Sequence, residues 1–255
     1  MSRLLVVAML LGGVFAFAGC GLFSSPQNTF APGGQVAADE KNLFLLTMWP
    51  ALVIMIGVEF GLVWILWRFR RKKGDSGLPA QTHGNNKLEI AWTVAPIILL
   101  ALFIAPTVGG IVDLGRTPKN SLEIDVTGQR FLWTFSYPDP KGGPPIQAPP
   151  EKSEMHIPLG KTIALKLKAI DVNHSFWVPK LAGKTDAIPG RANHMWLKGD
   201  TLGTYEGQCA EFCGTGHGVM RFKVVVETQQ DFDAWLKAQA AAQRTDQPAL
   251  AFQGD

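Results

Sequence analysis

Two thiols, an imidazole and a thioether fall within one short stretch, Cys209-Ala210-Glu211-Phe212-Cys213-Gly214-Thr215-Gly216-His217-Gly218-Val219-Met220. Upstream, Asp171-Val172-Asn173-His174-Ser175 offers a second imidazole at the end of a predicted strand. Thiolate, thioether and imidazole donors together select copper over hard cations. A single copper of the blue type takes two histidines, one cysteine and a weakly held methionine, which leaves one cysteine over. Two ions with about four ligands each offer roughly eight coordination positions. Cys209 and Cys213, each bridging both ions, would fill half of them. His174, His217 and Met220 would take three more, and one backbone carbonyl of the loop would complete the set. A Cys209–Cys213 disulfide is the plain alternative for an exported protein. A zinc site would use the same cysteines and histidines but has no need of Met220.

The donors need a rigid frame, and the residues after Val112 supply strand signals. Leu122–Val126, Arg130–Phe135, Glu154–Ile157, Thr162–Ala169 and Arg221–Glu227 are short runs rich in β-branched and aromatic residues, several alternating apolar with polar. Proline and glycine punctuate them, most densely in the loop from Tyr137 to Pro150. The pattern predicts a β-sandwich or barrel. Asp231–Ala242 is predicted to form an amphipathic helix with Phe232, Trp235 and Leu236 on one side. The residues beyond it form a polar tail expected to be disordered.

The chain's 47% hydrophobic and 18% charged residues are unevenly spread. Leu43–Trp67 carries one charge, Glu59, and Ile90–Val112 carries none; each is long enough to span a bilayer. Pro50, Pro96 and Pro106 lie toward the span ends or where a membrane helix tolerates a kink, and Trp49, Trp64, Trp67 and Trp92 sit as interfacial aromatics do. Between the spans, Arg68 to Lys87 holds six basic residues and one acid, Asp75. The positive-inside rule makes that loop cytoplasmic and both flanks external. Glu59, an ionisable group within a span, is a functional candidate by default, the plain alternative being a neighbouring subunit or arginine as partner. From Asp113 onward the charges balance, so no basic face suggests nucleic acid.

At the N-terminus, Met1-Ser2-Arg3 precedes the apolar run Leu4–Ala18 and then Gly19-Cys20. Fifteen helical residues rise about 22 Å, short of a roughly 30 Å hydrocarbon layer. The run reads as a secretory signal and is similar to a bacterial lipoprotein signal in which Cys20 is lipidated, although Phe17 stands where a leucine is usual. The expected organisation is a signal peptide over 1–19, an external segment over 20–42, a membrane hairpin over 43–112 with a cytoplasmic loop over 68–89, a copper domain over 113–238 and a tail over 239–255.

The loop Cys209–Met220 resembles the two-copper loop of cytochrome c oxidase subunit II. Lys184-Thr185-Asp186-Ala187-Ile188-Pro189-Gly190-Arg191, Leu88-Glu89-Ile90-Ala91-Trp92-Thr93 and Trp133 to Pro138 are similar to other hallmarks of that family. The resemblance runs from about Leu43 to Trp235. It implies a two-helix transmembrane hairpin followed by an all-β, cupredoxin-like Greek-key sandwich on the outer face of a bacterial plasma membrane. It implies that Cys209 and Cys213 bridge two copper ions, with His174 and Met220 on one ion and His217 and the Glu211 carbonyl on the other. The Glu211 carboxylate would reach a magnesium or manganese ion shared with subunit I. Electrons would arrive from a cytochrome c and leave for haem in subunit I, where oxygen is reduced and protons are translocated, with subunit III alongside.

The family often has tryptophan at the position aligned with Phe131, where electrons are received. Here the segment is Arg130-Phe131-Leu132-Trp133, so Phe131 is expected to mark the donor-docking surface and Trp133 to be structural, both being candidates for electron intake. Glu89 corresponds to a glutamate at the mouth of a proton channel, the alternative being an interfacial acid paired with Lys87. His83, His156 and His194 have no cysteine or methionine nearby and read as surface or structural residues. Three rivals fit less well. A quinol oxidase subunit shares the architecture but lacks the copper ligands. A tethered copper chaperone would place its cysteines before a helix. A nitrous oxide reductase would be longer and unanchored.

Overall fold

The computed structural model describes residues 25–71, 74, 77–78, 81 and 83–246. The signal peptide, Cys20, Lys72 and Lys73 and the last nine residues lie outside the described residues.

Residues 41–115 form one compact unit made of two helices. Helix α1 runs Gln35–Arg68 and α2 runs Asn86–Leu114. Both have the length and composition of a membrane span. The Asn85 side chain caps α2 by accepting from the backbone N–H groups of Lys87 and Leu88, satisfying donors that the helix itself leaves open. Glu89 lies in that first turn, where its negative charge suits the helix dipole. No residue of α2 is buried, and Phe60, Leu66, Ile97, Leu100 and Leu102 are among the many apolar side chains turned outward. A surface of that kind is stable in hydrocarbon and not in water.

The second unit is a sandwich of two five-stranded sheets. Its strands are β1 Leu122–Gln129, β2 Leu132–Tyr137, β3 Ile146–Gln147, β4 Glu154–Pro158, β5 Thr162–Ala169, β6 His174–Trp177, β7 Lys184–Ala187, β8 Asn193–Lys198, β9 Gly203–Cys209 and β10 Arg221–Glu227. One sheet has the order β3-β2-β1-β5-β8 and the other β4-β10-β9-β6-β7. The β1–β5 and β10–β4 pairs are parallel, and the remaining pairs antiparallel. The chain crosses between sheets after β3, β4, β5, β7 and β8, so the site is assembled from segments distant in sequence. This is the expected all-β sandwich behind a two-helix hairpin.

Alternation builds the core. Trp133, Phe135 and Tyr137 of β2 point inward together with Ile163, Leu165 and Leu167 of β5, all essentially inaccessible. From the other sheet Phe176 and Phe222 stack at 4.4 Å, and Trp133 meets both edge-on. The buried Tyr137 hydroxyl donates to the His156 carbonyl and accepts from the His156 N–H. Residues 25–40 belong to this unit. The Gly33 and Ala37 N–H groups donate to the carbonyls of Lys180 and Leu181, and the Asp200 N–H donates to Gly33.

Helix α3, Gln229–Asp246, starts at a Thr228 cap that accepts from the Asp231 N–H. It buries Phe232 and Leu236 and lays Trp235 flat on His156, 4.2 Å between ring centres. The helix continues eight residues past the expected domain end at 238. The Gln243 side chain holds that last part down by accepting from the Gln147 N–H and donating to the Pro145 carbonyl. The expected strand Arg130–Phe135 begins two residues late, because Arg130 and Phe131 make the turn between β1 and β2. The Tyr137–Pro150 loop contains β3, which pairs with the end of β2.

Candidate metal centre

Two segments converge at one end of the sandwich. The turn after β5 leads into β6 and delivers His174, its first residue. Strand β9 ends on Cys209. The loop from there to β10 carries Cys213, a single 3-10 turn over His217–Val219, and Met220. Pairing within one sheet sets the register: β9 pairs with β6 so that Cys209 faces Phe176, and the Cys209 N–H donates to the Met220 carbonyl. Glycine shapes the loop at two points. Gly214 has φ +131°, a conformation that L side chains rarely adopt. At Gly216 a side chain would collide with the Phe131 ring.

The Cys209 and Cys213 sulfurs stand 3.9 Å apart, both buried and both free thiols. A disulfide needs about 2.05 Å, so the bridge weighed from the sequence is not present. His174 Nδ1 lies 3.8 Å from Cys209 Sγ, and His217 Nδ1 lies 3.7 Å from Cys213 Sγ. Met220 Sδ is 3.7 Å from Cys213 Sγ. The Glu211 carbonyl lies at the cluster's edge, 3.2 Å from Cys209 Sγ. His174, Cys209 and Cys213 offer donor atoms all within 4.8 Å of one another. A thiolate–metal bond of about 2.3 Å fits between sulfurs at this separation, and the soft donor set fits copper. Burial, and then the neighbouring Cys209, push the Cys213 thiol up to about 11, so a metal must displace a proton to bind there.

His174 is fully buried, and its Nε2 is 2.8 Å from Asp171 Oδ1. That contact turns Nδ1 toward the sulfurs, the usual way a carboxylate orients a ligating imidazole. Asp171 also accepts from the backbone N–H groups of Val172 and Arg130 and from Arg130 Nε. Burial alone would raise its pKa, but the bonds from His174, Arg130 and Val172 outweigh this and hold the carboxyl well below the usual carboxylate range. Sequence reading passed over Asp171 and Arg130. An acid three residues before a ligand histidine was the available signal for the first; the second lies 41 positions away and becomes a neighbour only through the β1–β2 turn.

The remaining candidates are placed as follows. Phe131, half-buried, covers Gly214 and Gly216 of the cysteine loop. Trp133 is wholly buried, edge-on to His174 with ring centres 5.8 Å apart, so it belongs to the core beneath the site and presents no surface to a donor. The Glu211 side chain is exposed and lines an open pocket with Lys184, Asp186 and His194. Glu89 is exposed on α2 in the other unit. Phe212 and Val219, both strongly exposed, flank the cluster and were not singled out from the sequence.

Residues 31–108 match the family "Cytochrome C oxidase subunit II, transmembrane domain", and residues 151–228 match "Cytochrome C oxidase subunit II, periplasmic domain". The chain is 38% identical over 229 residues to cytochrome c oxidase subunit 2 of Alkalihalophilus pseudofirmus, covering 88% of this chain and 64% of that protein. It is 32% identical to the Bacillus subtilis cytochrome c oxidase subunit 2, covering 89% and 67%. It is also 32% identical to the quinol oxidase subunit 2 of the same organism, covering 91% and 71%. The chain thus spans about two thirds of the length of these relatives. Among solved structures, the periplasmic domain of cytochrome oxidase subunit II from Bradyrhizobium japonicum is similar, with 31% identity, a TM-score of 0.44 and coverage of 50% of this chain and 99% of that one.

Proposed function

Because the chain belongs to the cytochrome c oxidase subunit II family, we propose that it is the electron-accepting subunit of a haem–copper terminal oxidase, with a cytochrome c as donor. The observation that carries this reading is the convergence of two free thiols, two imidazoles, a thioether and one carbonyl in a single cluster whose His174, Cys209, Cys213 and Met220 are buried. Two copper ions bound there would supply a one-electron redox centre. Cys209 and Cys213 would serve both ions, His174 and Met220 one of them, and His217 and the Glu211 carbonyl the other. The protein's contribution is rigidity. His174 is locked by Asp171, Met220 and Cys209 are fixed by strand ends, and glycines let the loop close against Phe131.

Oxygen reduction, haem and proton translocation would lie in subunit I, with subunit III alongside. The basic loop after α1 would be cytoplasmic by the positive-inside rule, with the sandwich and both termini on the outer face of a bacterial plasma membrane and a signal peptide removed ahead of a lipidated Cys20. The Glu211 carboxylate would hold magnesium or manganese together with subunit I, and Glu89 would stand at the mouth of a proton channel. Phe131 would mark the donor-docking surface, and an unchanged second-order rate of electron uptake in Phe131→Ala would remove it from that role.

A quinol oxidase is the second reading, favoured by relatives of that name at similar identity. The complete set of copper donors weighs against it. The full chain purified in detergent and supplied with copper separates the two. Two coppers per chain, with one unpaired electron split by two equivalent nuclei in the paramagnetic resonance spectrum, is the expected result. One copper with single-nucleus splitting, or none, overturns the proposal.

A further inference from the structure

Arg130 lies in the turn between β1 and β2, belongs to no ligand segment, is bonded to one of them and runs beside the other. Its backbone N–H and its Nε donate to one oxygen of Asp171, Oδ2, at 2.8 and 3.2 Å. The other oxygen, Oδ1, faces His174 Nε2 at 2.8 Å and accepts from the Val172 N–H at 2.7 Å. The carboxylate is thus divided, with one oxygen held by the turn and the other holding the ligand. On its far side the Arg130 side chain runs past the cysteine loop: a side-chain carbon at Gly214, the residue after Cys213, would lie 3.7 Å from Arg130 Cδ. The next residue, Phe131, packs on Gly216. One turn therefore braces the two segments that supply all the donors.

We propose that Arg130 is a positioning residue of the metal centre, acting through Asp171 to set the orientation and basicity of His174. The inference rests on the copper reading above and adds a residue to it. The reasoning is electrostatic. A carboxylate beside a ligating imidazole makes that imidazole a stronger donor and favours the oxidised metal. A guanidinium on the same carboxylate draws charge away and moderates this effect. Arg130 is about half exposed, so as a surface ion pair it contributes little to stability. Its influence is exerted on the ligand.

The test uses the full chain in detergent, loaded with copper, and reads the reduction potential and the copper hyperfine splitting. In Arg130→Ala the potential falls, because Asp171 then bears its full charge against His174, and the hyperfine pattern changes. Arg130→Lys retains a cation but cannot repeat the Nε geometry, and restores the potential in part and the splitting least. Asp171→Asn raises the potential. In the Asp171→Asn background, Arg130→Ala moves the potential by less than half of its effect in the wild type. An equal shift in both backgrounds, or no shift in either, overturns the proposal. Both readouts follow any bound copper, so a one-copper wild type would sink the two-copper reading without deciding this one.

Discussion

The two segments that meet at the metal centre are built on opposite plans. The His174 segment is short, enters a strand at once, and is held from outside. Asp171 grips the imidazole, Arg130 grips Asp171, and Trp133 closes the site from below. The Cys209–Met220 segment is long, glycine-rich and largely self-contained. Its donors lie within a few residues of one another, and its apolar side chains Phe212 and Val219 stand in the open. One half of the site is made by the fold, the other by local sequence. Substitutions in the first half should damage structure and metal binding together, and those in the second should damage metal binding alone.

The largest expected effect falls on the shared sulfurs. Cys213→Ser removes the atom that neighbours Cys209, His217 and Met220 at once, so the paired-copper signal and oxidation of cytochrome c both drop to background while far-ultraviolet circular dichroism keeps its β signature. A stability contrast comes next. Trp133→Ala should cost about 3–5 kcal/mol in denaturant unfolding, whereas Phe212→Ala should stay within about 0.5 kcal/mol; equal costs would erase the distinction between the halves. The histidines sharpen it further. His174→Ala empties a fully buried position and breaks its bond to Asp171 and should cost about 1–3 kcal/mol in the metal-free chain as well as copper, while His217→Ala should lower copper content and leave the metal-free unfolding midpoint in place.

The smallest effect concerns protons. With the Cys213 pKa raised to about 11, the folded chain keeps that proton where an unfolded one would begin to lose it. Copper affinity at neutral pH should therefore rise with pH, by roughly tenfold per unit for each proton displaced, as measured by competition with a chelator at pH 6 and 8. For the same reason the metal-free chain should lose stability as pH rises from about 9 toward 11. A flat affinity would mean that the thiols are already ionised.

Legibility from the sequence follows the same division. The cysteine loop could be read directly because its donors are close together in the chain, and the two spans because an apolar run of more than twenty residues with at most one charge has few other uses. Strands β1, β5 and β10 alternate apolar with polar residues and were visible. Strands β6 and β7 are four residues each, and Lys184-Thr185-Asp186-Ala187 has no apolar face to betray it. Strand β9 carries two glycines and only one large inward side chain, Tyr205. Neighbours, not composition, make these segments strands. Arg130 was read as part of a strand because its run is β-prone; the turn it forms is imposed by the tight β1–β2 pairing, in which Gln129 faces Leu132.

The parallel pairing of β1 with β5 also bears on the order of assembly. Parallel strands cannot zip from a hairpin, and here residues some forty positions apart, such as Ile124 and Leu165, must find each other first. Folding with so much distant contact is slow. The turn that presents His174 hangs from the end of β5, so it is in place only after that search is over. A chain at an earlier stage bears the cysteine loop without His174 beside it. The complete donor set, with His174 in place, is therefore one of the last features of this domain to form.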